Sequence, residues 1–153
     1  MSTIEDRLAA AGITLPDAPA PAANYVPYVR AGDLLFVSGQ ISQGEHGLVQ
    51  GRLGADMAVE AGREAARLCA VALLAQVRAA LEGDLSRLVR VVKLGGFVNS
   101  TPDFTDQPEV INGASDLLVE ILGDAGRHAR AAVSAAALPR GVAVEIEGVF
   151  EVR

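Results

Sequence analysis

The stretch "VAVEIEG", residues 142–148, decides the fold class because its side chains change character at every second position. Val142, Val144 and Ile146 alternate with Ala143, Glu145 and Glu147. Successive side chains of a strand point to opposite faces of a sheet, so one set is expected to lie under a covering layer while the other points away. The stretch therefore predicts a sheet that is covered on one face only.

Outward from this strand, the chain alternates between strand and helix patterns. Toward the N-terminus, a turn at Pro139-Arg140-Gly141 separates the final strand, 142–152, from an Ala-rich strand at 131–137. Apolar residues at helical spacing predict a long helix over 56–81 and a second helix that begins near Asp106 and ends at Gly123. Further strands are predicted at 24–32, 33–41, 47–52 and 85–98. The predicted order is β, β, β, α, β, α, β, β, preceded by a short helix over 2–11 and a proline-rich arm.

Two helices cannot cover both faces of such a sheet, so the predicted fold class is α+β, with a mixed β-sheet and both helices packed on one face. The uncovered face would carry small side chains from strand 131–137 together with a few carboxylates. Such a face is too apolar to be stable in water alone, and a second subunit would cover it. The pattern favours an oligomer.

Composition excludes several function classes. With 13 Lys and Arg against 19 Asp and Glu, the net charge of −6 makes nucleic acid an unlikely partner, since its binders usually carry a basic patch. The single cysteine, Cys69, lies in an apolar helical run, which predicts core packing and rules out a thiolate zinc cluster. The sequence shows no targeting segment and no apolar run long enough for a membrane span, so a cytoplasmic location is expected.

Four segments together resemble the RidA/YjgF family, also called the endoribonuclease L-PSP or chorismate-mutase-like family. They are "VPYVRAGDLLFVSGQI" at 26–41, "VVKLGGFVNSTPDF" at 91–104, "VIN" at 110–112 and "ARAAVSAAALPRGVAVEIEG" at 129–148. The resemblance covers residues 24–153, which we expect to form the RidA/YjgF-like domain. Residues 1–23, the N-terminal helix and arm, suggest a longer, divergent branch.

The resemblance implies a chorismate-mutase-like homotrimer with ligand clefts between neighbouring subunits. It assigns Arg130 to the carboxylate of a substrate and Glu145 to catalysis. It also implies that Tyr28, Gly39 and Asn112 bind substrate. The family's typical cysteine two positions after the arginine is replaced here by Ala132, where ligands of the family are bound through the backbone. His128, two residues before the arginine, either faces the cleft or is a loop histidine without special role; the second interpretation is the expected one.

The family reaction is the hydrolysis of reactive 2-imino acids to 2-keto acids and ammonia, and it requires no metal or organic cofactor. An arginine suits a small planar carboxylate because its fork can donate two parallel hydrogen bonds. Glu145 would orient the attacking water or accept its proton. Two alternatives remain open: a carboxylate-binding, regulatory or chaperone-like module without turnover, and an endoribonuclease. The ribonuclease is less favoured because the sequence shows no basic track and no clear histidine pair.

Overall fold

The structure is a computed structural model that describes residues 2–21 and 23–153. Met1 and Ala22, which fall within the predicted N-terminal segment, lie outside the described residues. The helices are α1 (Ile4–Ala10), α2 (Val59–Ala80) and α3 (Gln107–Leu122). The strands are β1 (Tyr28–Ala31), β2 (Leu34–Ile41), β3 (Gln43–Gly44), β4 (Gly47–Leu48), β5 (Leu88–Asn99), β6 (Ala129–Ala135) and β7 (Val144–Val152).

Five strands form one mixed sheet in the order β1-β2-β7-β5-β6. Neighbouring strands are antiparallel except β5 and β6, which run parallel because α3 lies between them in the chain. The strand predicted over 47–52 does not join this sheet. Its first residues pair instead with β3 as a separate short hairpin. A strand does begin at the predicted position, but it is shorter than predicted and is not part of the main sheet.

The two faces of the sheet differ as the alternation in β7 predicts. Val144 and Ile146 are fully buried, and α2 and α3 pack on their side of the sheet. On the opposite face Phe36 and Val133 remain about half exposed, at 45% and 47%. The predicted α+β class, with a mixed sheet and helices on one face, is confirmed.

The two long helices approach each other closely because glycines face them at the contact. A side chain at Gly113 of α3 would lie 2.0 Å from the carbonyl oxygen of Arg63 on α2, so only glycine fits there. The buried face of α2 is mostly alanine and leucine, together with Cys69, which is buried as predicted. This close contact fixes α3 over β5 and β6, where several of the candidate site residues described below lie.

The N-terminal segment packs against the rest of the domain. Leu8 and Leu15 belong to the same hydrophobic cluster as the helices and the sheet. Gln76 of α2 donates a hydrogen bond of 2.7 Å to the Pro19 carbonyl, and Arg78 donates one of 2.9 Å to the Pro16 carbonyl. The separation of segment 1–23 from the domain stays a prediction. Within the described residues, no helix is long and apolar enough to cross a membrane.

Candidate functional site

Arg130 lies on the edge strand β6, on the face that the helices cover. Its register partner on β5 is Leu94, which is fully buried on that face. The Arg130 side chain therefore reaches toward α3, where Nη1 donates to Asn112 Oδ1 at 2.8 Å and to Ser115 Oγ at 3.0 Å. Nη2 donates to the Pro108 carbonyl at 3.2 Å. The structure thus brings together Arg130 and Asn112, two of the predicted substrate-binding residues.

These contacts leave part of the Arg130 guanidinium available. A guanidinium carries five N–H donors, one on Nε and two on each Nη. The described partners use both donors of Nη1 and one of Nη2. One donor on Nε and one on Nη2 remain without a partner in the described part of the chain. Two donors are what bidentate binding of a carboxylate requires.

His128 contacts Ser115, one of the residues that bind the Arg130 side chain, which we did not expect of a loop histidine. Its Nδ1 lies 2.6 Å from the Gly126 carbonyl oxygen, and its Nε2 lies 2.9 Å from Ser115 Oγ. Partial burial lowers the pKa of His128, the Gly126 carbonyl opposes this, and the charge of Arg130 lowers it further. The sequence pattern missed Ser115, although its spacing of three residues from Asn112 on one helix face could have suggested it.

Glu145 lies on the other face of the sheet. Its register partners are Phe97 on β5 and Ile41 on β2, while its chain neighbours Val144 and Ile146 point into the core. Burial is the main cause that raises the pKa of the Glu145 carboxyl, and the neighbouring charge of Glu147 adds to it. A carboxyl with a raised pKa is a better proton acceptor when it is ionised.

Gly39 makes room for this carboxyl. The pairing of β2 with β7 shifts register between Val37 and Gln40, which marks a bulge that contains Gly39. A side chain at this position would lie 2.7 Å from Glu145 Oε2, so glycine permits the close approach. The structure therefore brings together the predicted residues Gly39 and Glu145.

A cavity of about 490 Å³ opens beside this second pair. The arm residues Pro19 and Pro21 form one wall, and Tyr25 and Arg140 also line it. Arg140 has a left-handed backbone, with φ of 58°, in the turn before β7. The sequence interpretation assigned none of these four residues to a site. Their positions depend on how the arm folds back over the sheet, which no local pattern specifies.

The two pairs do not meet within one chain. Arg130 and Ala132 both lie on the helix-covered face of β6, as their register partners show, whereas Glu145 lies on the open face of β7. Tyr28 lies on β1, at the edge of the sheet opposite to β6. Four strand spacings of roughly 4.8 Å separate these edges by about 19 Å. Within one chain, the structure therefore does not bring all the predicted residues into one site.

Metal chemistry finds no ready set of ligands. Among residues 2–21 and 23–153, no group of three or more His, Cys, Asp or Glu side chains could hold a metal ion. The Cys69 thiol is buried, so it is not placed to bind a metal ion. Burial is also the main cause that raises the pKa of this thiol.

The fold and these side chains define a class of small α+β proteins whose one-sided sheet carries a partly hydrogen-bonded arginine on its edge strand. The family described as "YjgF/chorismate_mutase-like, putative endoribonuclease" matches residues 5–146. The chain belongs to this YjgF/chorismate-mutase-like family. The match includes most of the N-terminal helix and the arm, in addition to residues 24–146 of the region that carried the resemblance.

Relatives at high identity extend over nearly the whole chain. Protein TCP17 of Trypanosoma cruzi is 53% identical over 142 residues, which cover 92% of this chain and 88% of that protein. The crystal structure of Atu1372 from Agrobacterium tumefaciens, described as of unknown function, is 52% identical, with a TM-score of 0.91 over 98% of this chain and 92% of that one. A "putative endoribonuclease" from Shewanella oneidensis is 38% identical, with a TM-score of 0.94 over 99% and 100%.

More distant structures in the family include proteins with other names. RidA from an Antarctic Psychrobacter is 27% identical, with a TM-score of 0.60 over 89% of this chain and 94% of that one. TdcF from E. coli, solved with bound serine, is 26% identical, with a TM-score of 0.61 over 89% and 93%.

Proposed function

We propose that this protein is a deaminase that hydrolyses small 2-imino or enamine acids to 2-keto acids and ammonia. The observation that carries the proposal is the state of Arg130. Three of its donors are fixed by Asn112, Ser115 and the Pro108 carbonyl, and two face no protein partner in the described chain. A guanidinium held in this way is preorganised for a small carboxylate. The bound serine of TdcF is a ligand of that chemical type.

Glu145 supplies the second element of the proposed chemistry. Water adds to the carbon of the protonated imine. The carbinolamine formed then releases ammonia, which takes up the hydroxyl proton and leaves as ammonium, to give the keto acid. In this scheme Glu145 accepts the proton of the attacking water and returns it to the leaving nitrogen. Its raised pKa supports this role, because a carboxylate with a raised pKa is a stronger base toward the attacking water. Gly39 lets the carboxyl lie close to the β2 backbone, and the cavity that both residues line gives the water access to it.

The proposed site lies between two copies of the chain. One copy contributes Arg130, Asn112 and the backbone at Ala132 from its β6 edge. The other contributes Glu145, Gly39 and Tyr28. The half-exposed Phe36 and Val133 of the open face support burial against another subunit. We propose a homotrimer, for which light scattering should give three times the 15.8 kDa chain mass. A monomer at micromolar concentration would exclude it.

Mixed assemblies test the site directly. Arg130→Ala and Glu145→Gln variants, each inactive alone, are unfolded together in equal amounts and refolded. Random assembly places an intact Arg130 beside an intact Glu145 at about one interface in four, since each has a chance of one half. We expect about a quarter of the wild-type rate of ammonia release from an imine generated in situ. No recovery would mean that the site is not shared between copies.

A binding module without turnover is the second candidate, and Ala132 favours it because the family's usual thiol is absent from the cleft. It would bind a keto acid through Arg130 and never accelerate imine hydrolysis. Calorimetric titration with 2-oxobutanoate, together with the hydrolysis assay on wild type, separates the two candidates. The name endoribonuclease, which the family carries, finds no support in the net charge of −6. RNA cleavage at varied salt concentration tests it.

A further inference from the structure

The hydrogen bonds that join Arg130 to His128 through Ser115 all donate in the same direction, from Arg130 toward the Gly126 carbonyl. The Gly126 carbonyl can only accept, so the His128 Nδ1 at 2.6 Å must carry a hydrogen. In a neutral ring the Nε2 then has a lone pair, and it accepts the hydroxyl hydrogen of Ser115 at 2.9 Å. The Ser115 oxygen in turn accepts from Arg130 Nη1 at 3.0 Å. Each group between Arg130 and the Gly126 carbonyl therefore accepts one hydrogen bond and donates the next.

The state of the His128 ring supports this direction. Burial and the positive charge of Arg130 both lower the pKa of His128, which keeps the ring neutral at pH 7. A protonated ring would offer Nε2–H to Ser115 as a donor, and the Ser115 hydroxyl hydrogen would lose its acceptor. Ser115 could still accept from Arg130 with its second lone pair, but its free hydroxyl hydrogen would no longer fix the orientation of that lone pair.

We propose that His128 is a positioning residue for the carboxylate-binding arginine. Through the Ser115 hydroxyl, it aims an oxygen lone pair at Arg130 Nη1 and so fixes the plane of the guanidinium. The two donors on Nε and Nη2 are then held in place for the ligand. This inference rests on the proposed function in so far as the ligand is a carboxylate. The ordering of Arg130 itself does not depend on that function.

A pair of matched substitutions separates positioning from a general structural role. In His128→Gln the side-chain oxygen can reach the Nε2 position and accept from Ser115. In His128→Asn the amide reaches only the Nδ1 position and keeps the Gly126 bond. We expect His128→Gln to bind 2-oxobutanoate within about threefold of wild type, whereas His128→Asn and Ser115→Ala bind about tenfold more weakly, the loss of roughly one hydrogen bond.

The turnover assay adds a second distinction. We expect the KM of His128→Asn to rise by a similar factor of about ten while kcat changes little, since Glu145 and its water are untouched. The double variant His128→Asn/Ser115→Ala should be no weaker than either single variant, because both break the same chain of hydrogen bonds. Additive losses, or losses in His128→Gln and His128→Asn that follow their melting temperatures, would overturn the proposal.

Nitrogen-15 NMR of the side chains tests the proposal without a ligand. His128 should be neutral at pH 7 with its hydrogen on Nδ1. Rotation of the Arg130 guanidinium should be slow in wild type and His128→Gln, and several-fold faster in His128→Asn and Ser115→Ala. A His128 ring with its hydrogen on Nε2, or an Arg130 that rotates freely in wild type, would refute positioning even if a carboxylate binds. Ordered Arg130 with no carboxylate binding would refute the proposed function alone.

Discussion

Two groups of residues are built in opposite ways. They are the Arg130 cluster, formed with Asn112 and Ser115, and the Glu145 cluster, formed with Gly39. Arg130 is held by side chains and a carbonyl of its own chain, namely those of Asn112, Ser115 and Pro108. The Glu145 carboxyl has no side-chain hydrogen-bond partner among the described residues, and it lies against the backbone of Gly39, where a side chain would clash with it. The first cluster is held by hydrogen bonds within its own chain. The other is an open surface with a carboxyl on it.

For the proposed reaction, this difference means that neither cluster would be a complete site. A positive anchor without a proton acceptor can bind a carboxylate but cannot hydrolyse an imine. A carboxyl beside an open cavity can accept a proton but repels an anionic substrate. The faces of the sheet keep the two apart within one chain. Joining them across a subunit interface would combine an ordered anchor with a reactive group.

Removal of Arg130 should have the largest effect on this comparison. Two charged hydrogen bonds contribute roughly 1.5–3 kcal/mol each, so Arg130→Ala should weaken 2-oxobutanoate binding by at least about 100-fold. Arg130→Lys should weaken 2-oxobutanoate binding nearly as much, because an ammonium cannot supply the two parallel donors. Calorimetric titration measures both. The control is Arg127→Ala, an exposed arginine paired with Asp124. Equal binding by Arg130→Ala would show that the anchor lies elsewhere.

Glu145→Gln should separate the roles of the two clusters. Turnover should fall by about 100-fold because the amide cannot accept a proton. Binding of 2-oxobutanoate should persist or tighten, since a negative charge has been removed while Arg130 is unchanged. Rate and titration measurements on the same sample check this. The control is Glu151→Gln on the same strand. Loss of binding with retained turnover would reverse our assignment.

The arm should affect only the Glu145 side. Leu15→Ala removes a buried contact of the arm, which should cost roughly 2 kcal/mol and lower the melting temperature by about 5 °C. Turnover should fall severalfold as the cavity wall loosens, while 2-oxobutanoate binding changes little. Thr14→Ala, at an exposed position, is the matched control. If Leu15→Ala abolished binding as well, the arm would support both clusters.

Glu147→Gln should have the smallest effect of these variants, a shift in the pH dependence of kcat/KM. Glu147 raises the pKa of Glu145, so its neutralisation lowers that pKa, while burial keeps it above the ordinary value. A general base must be ionised, and the acid limb of kcat/KM should therefore move to lower pH by a fraction of a unit. A raised carboxyl pKa costs stability above that pKa, so the variant should also melt slightly higher at pH 7 but not at pH 4. An unchanged limb would exclude Glu145 as the base.

The sequence alone determined the faces and the class of the fold. The alternation at 142–148 assigned Val144 and Ile146 to the core and Glu145 to the open face, because a strand has a side-chain period of two. Helical spacing placed α2 and α3. These features are local, so a few neighbouring residues are enough to specify them. Arg130 and Glu145 were singled out by the resemblance of the C-terminal segment to the RidA/YjgF family.

Only the tertiary structure decided which of these residues meet. The strand order β1-β2-β7-β5-β6 places Tyr28 and Arg130 at opposite edges, and the fold places Ser115 between His128 and Arg130. It also folds the arm over the cavity beside Glu145. Each of these contacts joins residues distant in the chain or on different elements. They follow from how the helices pack on the sheet, and no local periodicity of the sequence encodes that packing.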